Sequence, residues 1–252
     1  MKAYLKRTFK YIFIACVILS VNSGRIFAQQ DAQFSQYMFN TLAFNPAYAG
    51  SAELLNASAL YRAQWVGFEG APQTQTLTAN TPLKNKSLAV GGMLFNDVIG
   101  PVQTFGLFGD FVYRIDFARS KLAFGVKAGF DIFQATFSEL DIVDGIDPSF
   151  TSNIKNKFLP NAGFGVFFYS QMYYVGFSAP KLIRNSIYDP VGEQTISNGK
   201  QEISSYFTAG YVFTLSPDIK FKPAVLFKFV QNAPGQLDIN LNFLFVERFW
   251  FG

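Results

Sequence analysis

Lys121-Leu122-Ala123-Phe124-Gly125-Val126-Lys127-Ala128-Gly129-Phe130-Asp131-Ile132 alternates without a break. The even positions Leu122, Phe124, Val126, Ala128, Phe130 and Ile132 are all apolar. The odd positions are small or charged: Lys121, Ala123, Gly125, Lys127, Gly129 and Asp131. Successive side chains of a strand point to opposite faces, so period two is the mark of a strand with one apolar and one polar face. A helix would have put its apolar residues three and four apart.

The same alternation recurs along the chain. Leu237, Ile239, Leu241, Phe243 and Phe245 oppose Asp238, Asn240 and Asn242. Val225, Phe227 and Phe229 oppose Lys222, Ala224 and Lys228. Leu55, Ala57, Ala59, Tyr61, Ala63 and Trp65 oppose Asn56, Ser58, Arg62 and Gln64. Strands are expected at about 54–65, 73–81, 87–96, 102–115, 121–136, 160–169, 173–179, 203–215, 220–230 and 236–246, with another starting at 249. Most are longer than an ordinary globular strand and suit one that crosses a bilayer at a tilt. The connections sort by parity. Those near 82–86, 116–120, 170–172, 216–219 and 247–248 are short, whereas those at about 137–159 and 180–202 are long. Long and short connections therefore lie at opposite ends, as in a transmembrane antiparallel β-barrel; Greek-key crossings in a soluble sandwich would not sort them so. Ten strands and a fragment do not make the usual even number: either the count is off by one or, the favoured expectation, further C-terminal strands lie beyond Gly252.

Residues 1–28 read as a signal peptide: Lys2, Lys6, Arg7 and Lys10, an apolar run from Tyr11 to Val21, and Phe27-Ala28 before Gln29. Cys16 lies too early in that run for a lipoprotein cleavage site and reads as part of the signal. These residues hold five basic side chains and no acid, which turns the +4 of the whole chain into −1 for the remainder. Nucleic acid is thereby not implied as a partner. Cys16 is the only cysteine and there is no histidine. Disulfides after the signal, His-containing triads and most zinc sites are excluded, which leaves an outer-membrane hydrolase, a third reading, without an ordinary Ser-His or His-Asp arrangement. Aromatic residues make up 18% of the chain, 31 of them Phe, yet no run after residue 28 is long enough for a membrane helix.

Between signal and first strand stands Gln29-Gln-Asp-Ala-Gln-Phe34-Ser-Gln-Tyr37-Met38-Phe-Asn-Thr-Leu-Ala-Phe-Asn45-Pro46-Ala-Tyr48-Ala-Gly-Ser51. Phe34, Tyr37 and Met38 share one face of a short helix, and Asn45-Pro46 and Ala49-Gly50-Ser51 are turn signals. The chain thus divides into a signal (1–28), an N-terminal periplasmic or luminal segment (29–52) and the barrel (53–252).

Several stretches together resemble the PorP/SprF family of outer-membrane proteins of the type IX secretion and gliding machinery of Bacteroidetes. They are Gln33-Phe34-Ser35-Gln36-Tyr37-Met38-Phe39-Asn40, Asn45-Pro46-Ala47-Tyr48-Ala49-Gly50, Tyr61-Arg62-x-Gln64-Trp65, Asn96-Asp97-x-Ile99-Gly100-Pro101, Pro160-Asn161-x-Gly163-x-Gly165, Val175-Gly176-Phe177-Ser178, Lys222-Pro223 and Phe249-Trp250-x-Gly252. Thr41 departs from the family, where proline is common. The resemblance spans about residues 30–252. It implies a barrel of about 14 strands in the outer membrane, in contact with its lipids, and a non-enzymatic role without a cofactor. It also implies partners: a periplasmic peptidoglycan-binding lipoprotein and ring components of the secretion system, or one large secreted adhesin. The competing reading is an outer-membrane diffusion porin or small-molecule transporter.

Candidate functional residues fall into three groups. Phe34, Tyr37, Met38, Asn45, Pro46 and Tyr48 form either a docking element or a plug packed into the barrel. Arg62, Asp110, Arg114, Lys127, Asp131, Lys228 and Asp238, with Gln64, Lys222, Asn240 and Asn242, take the polar register and face the lumen. Their mixed signs argue for a salt-bridged, filled lumen over an ion-selective pore. Glu139, Asp141, Asp144 and Asp147 in the first long loop do not match a calcium-binding loop and read as solvated charges. The second long loop is an exposed binding loop or a passive cap.

Overall fold

The computed structural model describes residues 39–137, 153–187, 200–231 and 233–252. Its strands are β1 (Asn56–Ala63), β2 (Gln73–Pro82), β3 (Leu88–Ile99), β4 (Val102–Asp116), β5 (Lys121–Ala135), β6 (Ile154–Tyr169), β7 (Tyr173–Lys181), β8 (Ser204–Tyr211), β9 (Phe213–Ser216), β10 (Ile219–Val230), β11 (Gln236–Phe245) and β12 (Phe249–Phe251). They form one antiparallel sheet in chain order, except that β8 and β9 both lie against β10. β1 and β12 are its two edges, and the sheet is not closed on itself. The fold is that of a transmembrane antiparallel β-barrel.

Most expected boundaries shift by three residues or fewer, as at β1, β3 and β7, and two shift for a larger reason of pairing. The strand expected over 203–215 breaks at Val212, whose N–H donates to Met172 O in the β6–β7 turn at 2.6 Å. β9 resumes with a register shift against β10. β6 begins at Ile154 rather than 160, because β5 extends its ladder as far as Phe133↔Lys157 and, past a bulge, Ala135↔Ile154. That stretch carries little apolar alternation, so its sequence does not announce a strand. Glu139, Asp141, Asp144, Asp147 and the tip of the second long loop lie outside the described residues.

The two faces of the sheet differ in kind. Asp97, Asp110, Arg114, Lys127 and Asp131 are buried on the concave face, and Arg62, Lys222, Lys228 and Asp238 share its register. No outward position of β1–β5 carries a charge. The outward positions of β4 run Ile115, Tyr113, Phe111, Gly109, Leu107, Phe105, and those of β5 run Leu122, Phe124, Val126, Ala128, Phe130, Ile132. At 3.3 Å per residue and a tilt of about 40°, such a row is about 25 Å tall, the height of the lipid-facing band of an outer-membrane barrel. At the end with the short turns, rings contact one another from strand to strand: Phe168, Tyr173, Tyr211, Phe213, Phe221, Phe243, Phe245 and Phe251. This is an aromatic girdle at a membrane boundary.

A charge placed mid-band should therefore be costly. Leu107→Arg is expected to lower stability in vesicles by about 2–4 kcal/mol, and Gln103→Arg, at the upper edge, by no more than about 1 kcal/mol. Denaturant titration of both variants checks this depth dependence.

Candidate functional site in the barrel lumen

The sequence between Asn40 and Ser51 makes two tight turns, the second at the expected Asn45-Pro46 signal; the short helix expected over 34–38 lies outside the described residues. The first is a 3-10 turn at Thr41–Ala43 and the second at Pro46–Tyr48. Proline lacks the N–H that a first helical position cannot use, and Asn45 caps the turn by accepting from Ala47 N at 3.0 Å. Gly50 ends the segment with φ +72°, a conformation that disfavours any side chain.

This segment lies inside the sheet. Leu42, Ala47 and Ala49 pack with Ala89, Val112, Ala123 and Phe167 on β3 to β6. Ala43 and Phe44 pack with Met93, Phe95 and Phe108, and with Ala224 and Leu226 of β10. Contacts to β3–β6 and to β10 at once mean that the sheet wraps around the segment. Each fully buried Leu or Phe contributes about 1.5–3 kcal/mol to this seating.

Glycines on the inner wall set the closeness of fit. A Cβ on Gly125 would collide with the backbone of Pro46 and Ala47, and one on Gly165 with the Asn45 side chain. The turn therefore rests directly on the wall.

Polar side chains of the wall hold the backbone of the segment. Gly50 N donates to Asn80 Oδ1 at 2.9 Å, and Arg114 Nη1 donates to Gly50 O at 3.0 Å. The same Arg114 nitrogen donates to the Tyr169 hydroxyl at 3.2 Å. Lys127 Nζ reaches Leu42 O at 3.4 Å and sits 2.9 Å from Asp110 Oδ1. Asn45 Nδ2 donates to Val166 O at 3.3 Å. At the rim, Lys121 pairs with Glu53 and holds that carboxyl below the usual carboxylate range.

The opposite end of the lumen is narrowed by the β7–β8 connection, whose two ends fold onto β5 and β6. Asn161 Oδ1 accepts from Leu182 N and Ile183 N, and its amide donates to Ile183 O at 3.0 Å. Asp131, wholly buried, takes Lys181 Nζ at 2.6 Å and Gln201 Nε2 at 3.4 Å. Lys181 also lies 5.4 Å from the ring centres of Phe95 and Phe108, and Lys127 lies 5.7 Å from that of Phe108. Cations over these rings gain quadrupole attraction. The wall thus runs continuously from Asp110 and Lys127, through Phe108, to Lys181 and Asp131.

The structure brings Arg114 to Gly50 and Lys127, paired with Asp110, to Leu42, whereas Asp131 stands at the other end with Lys181. Tyr48 packs edge-on against Phe167, with centroids 5.6 Å apart. Arg62 on β1, Lys228 on β10 and Asp238 on β11 take the inward register elsewhere. Lys228 lies over the Tyr206 ring, and Asp238 accepts from Gln236 Nε2 at 3.5 Å. Gln64 lies past the end of β1, where its backbone N–H bonds Pro72 O. Phe34, Tyr37 and Met38 lie outside the described residues. Asn80, Asn161, Lys181 and the two seat glycines were not singled out as site residues from the sequence. Asn80 and Gly125 carry only the inward register, which many other residues share; Asn161 and Gly165 also stand in the Pro160-Asn161-x-Gly163-x-Gly165 stretch, and Lys181 turns inward past an irregularity in the β7–β8 ladder.

Removing the arginine grip should loosen the segment. Arg114→Leu is expected to cost about 1.5–3 kcal/mol, the range for a hydrogen bond from a charged donor. Faster hydrogen exchange at residues 49–51, with the strands unaffected, is the readout.

Comparison with known families matches residues 26–252 to the family described as Type IX secretion system membrane protein PorP/SprF. No curated protein and no solved structure matches the chain.

Proposed function

The chain belongs to the PorP/SprF family of type IX secretion system membrane proteins, and from that premise we propose a non-enzymatic outer-membrane component that works by binding partners. On this reading residues 1–28 direct export, residues 29–52 form the luminal segment, and 53–252 form the barrel. The observation that carries it is the occupied lumen. The segment 39–51 packs against the inner faces of β3–β6 and β10, and two pairs of wall charges are matched, Asp110 with Lys127 and Asp131 with Lys181. An open diffusion pore would need a free path and charges aimed at water.

The turn end, where the segment enters, then faces the periplasm and offers a docking surface. Its partners are a periplasmic peptidoglycan-binding lipoprotein and ring components of the secretion system. In the alternative role, the barrel supports secretion and surface anchoring of a large adhesin, and the anchored β7–β8 connection at the other end is the surface in contact with it.

Two measurements on the full-length protein test this. Affinity capture from native membranes should recover secretion-system lipoproteins or one giant secreted protein. The same preparation should be silent in planar bilayers. Steady single-channel conductance with no co-purifying partner would replace this reading by the diffusion porin.

A further inference from the structure

The outer face of β1–β3 carries a feature that neither the plug nor the ion pairs explain. A shallow groove of about 330 Å³ lies there at the upper edge of the apolar band. Its floor is Ala59, Leu77 and Leu94, and its rim is Tyr61, Gln75 and Asn96. These residues are in register, with Tyr61 opposite Gln75 and Gln75 opposite Asn96. The polar rim continues sideways. Asn96 Oδ1 accepts from Gln103 Nε2 at 2.8 Å, Gln103 lies opposite Gln134, and Gln134 bonds Asn156. An uncharged carboxamide row therefore tops the band from β2 to β6.

We propose that this groove binds a glycolipid of the leaflet on the loop side, its acyl chain on the apolar floor and its neutral sugar headgroup on the amide rim. The occupant follows from position. Everything below the rim on this face is lipid-facing, so what stands at the rim is the headgroup of the same lipid. Its chemistry follows from the side chains. A carboxamide both donates and accepts, as a sugar hydroxyl does. A phosphate headgroup would be met by Arg or Lys, and no outward position of β1–β5 holds either. The Gln75 carboxamide has no hydrogen-bond partner among the described residues, and Asn96 Nδ2 has none either. At the level of the headgroups these amides are free to bond a sugar hydroxyl of the lipid.

The test uses the full-length protein in nanodiscs of phosphatidylethanolamine with equal parts of diglucosyl diacylglycerol and phosphatidylglycerol. Native mass spectrometry then counts the lipids retained. The neutral glycolipid should be retained about tenfold over phosphatidylglycerol, a modest binding increment. Gln75→Leu/Asn96→Leu, which leaves a lipid-compatible apolar surface, should abolish the preference. Ala59→Leu, which fills the floor and leaves the amides alone, should reduce retention of the acyl chain with the rim intact. Equal retention of the two lipids by the unsubstituted protein overturns the proposal, as does a preference unchanged in Gln75→Leu/Asn96→Leu or a total retention unchanged in Ala59→Leu. Efficient crosslinking of two copies through Gln75→Cys, in a chain with no other cysteine after residue 28, would give the groove to a second protomer instead.

Discussion

Lys127→Met is expected to be among the most damaging single substitutions in the wall, at about 3–5 kcal/mol. The lysine side chain is 2% exposed and its partner Asp110 is wholly buried. Methionine fills the same space but leaves a carboxylate without a countercharge in a place that water does not reach. Breaking a buried pair costs far more than the pair contributes, because the desolvation penalty of the survivor is no longer offset. Lys127→Met/Asp110→Leu should therefore recover most of the loss, as two apolar side chains need no partners. Guanidinium titration of the three variants in detergent reads the cycle. A double variant as unstable as Lys127→Met alone would mean that the lysine acts through Leu42 O and the Phe108 ring rather than through Asp110.

Gly125→Val should produce the second large effect, and of a different kind. Valine suits a strand, so the ladder with β4 and β6 gains nothing to resist. On the inner face its branches collide with the backbone of Pro46 and Ala47. Overpacking of this kind costs about 1–3 kcal/mol or more, which shifts a seated segment towards release by about 5- to 150-fold. The barrel should keep its heat-stable folded band while residues 39–51 become open to protease, and conductance should rise above that of the unsubstituted protein, which is expected to be silent. Gly165→Ala should act in the same direction through Asn45. If Gly125→Val unfolds the strands and leaves no folded band, the glycine serves the wall itself and the segment is not separable from it.

The contrast between these two residues shows what could be read in advance. Lys127 stands out in its alternating stretch because a charge in a transmembrane strand has to point inward. Gly125, two positions earlier, shares its register yet looks like one small residue among several. Nothing local distinguishes a glycine that merely fills a narrow wall from one on which a distant turn rests. The same holds for Asn80 and Asn161, whose amides hold Gly50 and the β7–β8 connection. Their partners come from elements that the chain places far away. Conversely, Arg62 and Asp238 have the right register and the right chemistry, yet they stand on walls away from the segment.

Most of the strands, the loop ends and the lipid-facing side are local matters; the break of one strand at Val212 is not, because it follows from a bond to the β6–β7 turn. Period two, turn residues and connection length belong to neighbouring residues, so the sequence alone determined a membrane barrel with charges inside. The 121 residues between Asn45 and Val166, the 85 between Leu42 and Lys127 and the 64 between Gly50 and Arg114 are spanned only once the sheet has curled. Only the tertiary structure decided which inward side chains meet residues 39–51. Curvature of the sheet, not any local pattern, brings walls so far apart in the chain onto one short turn.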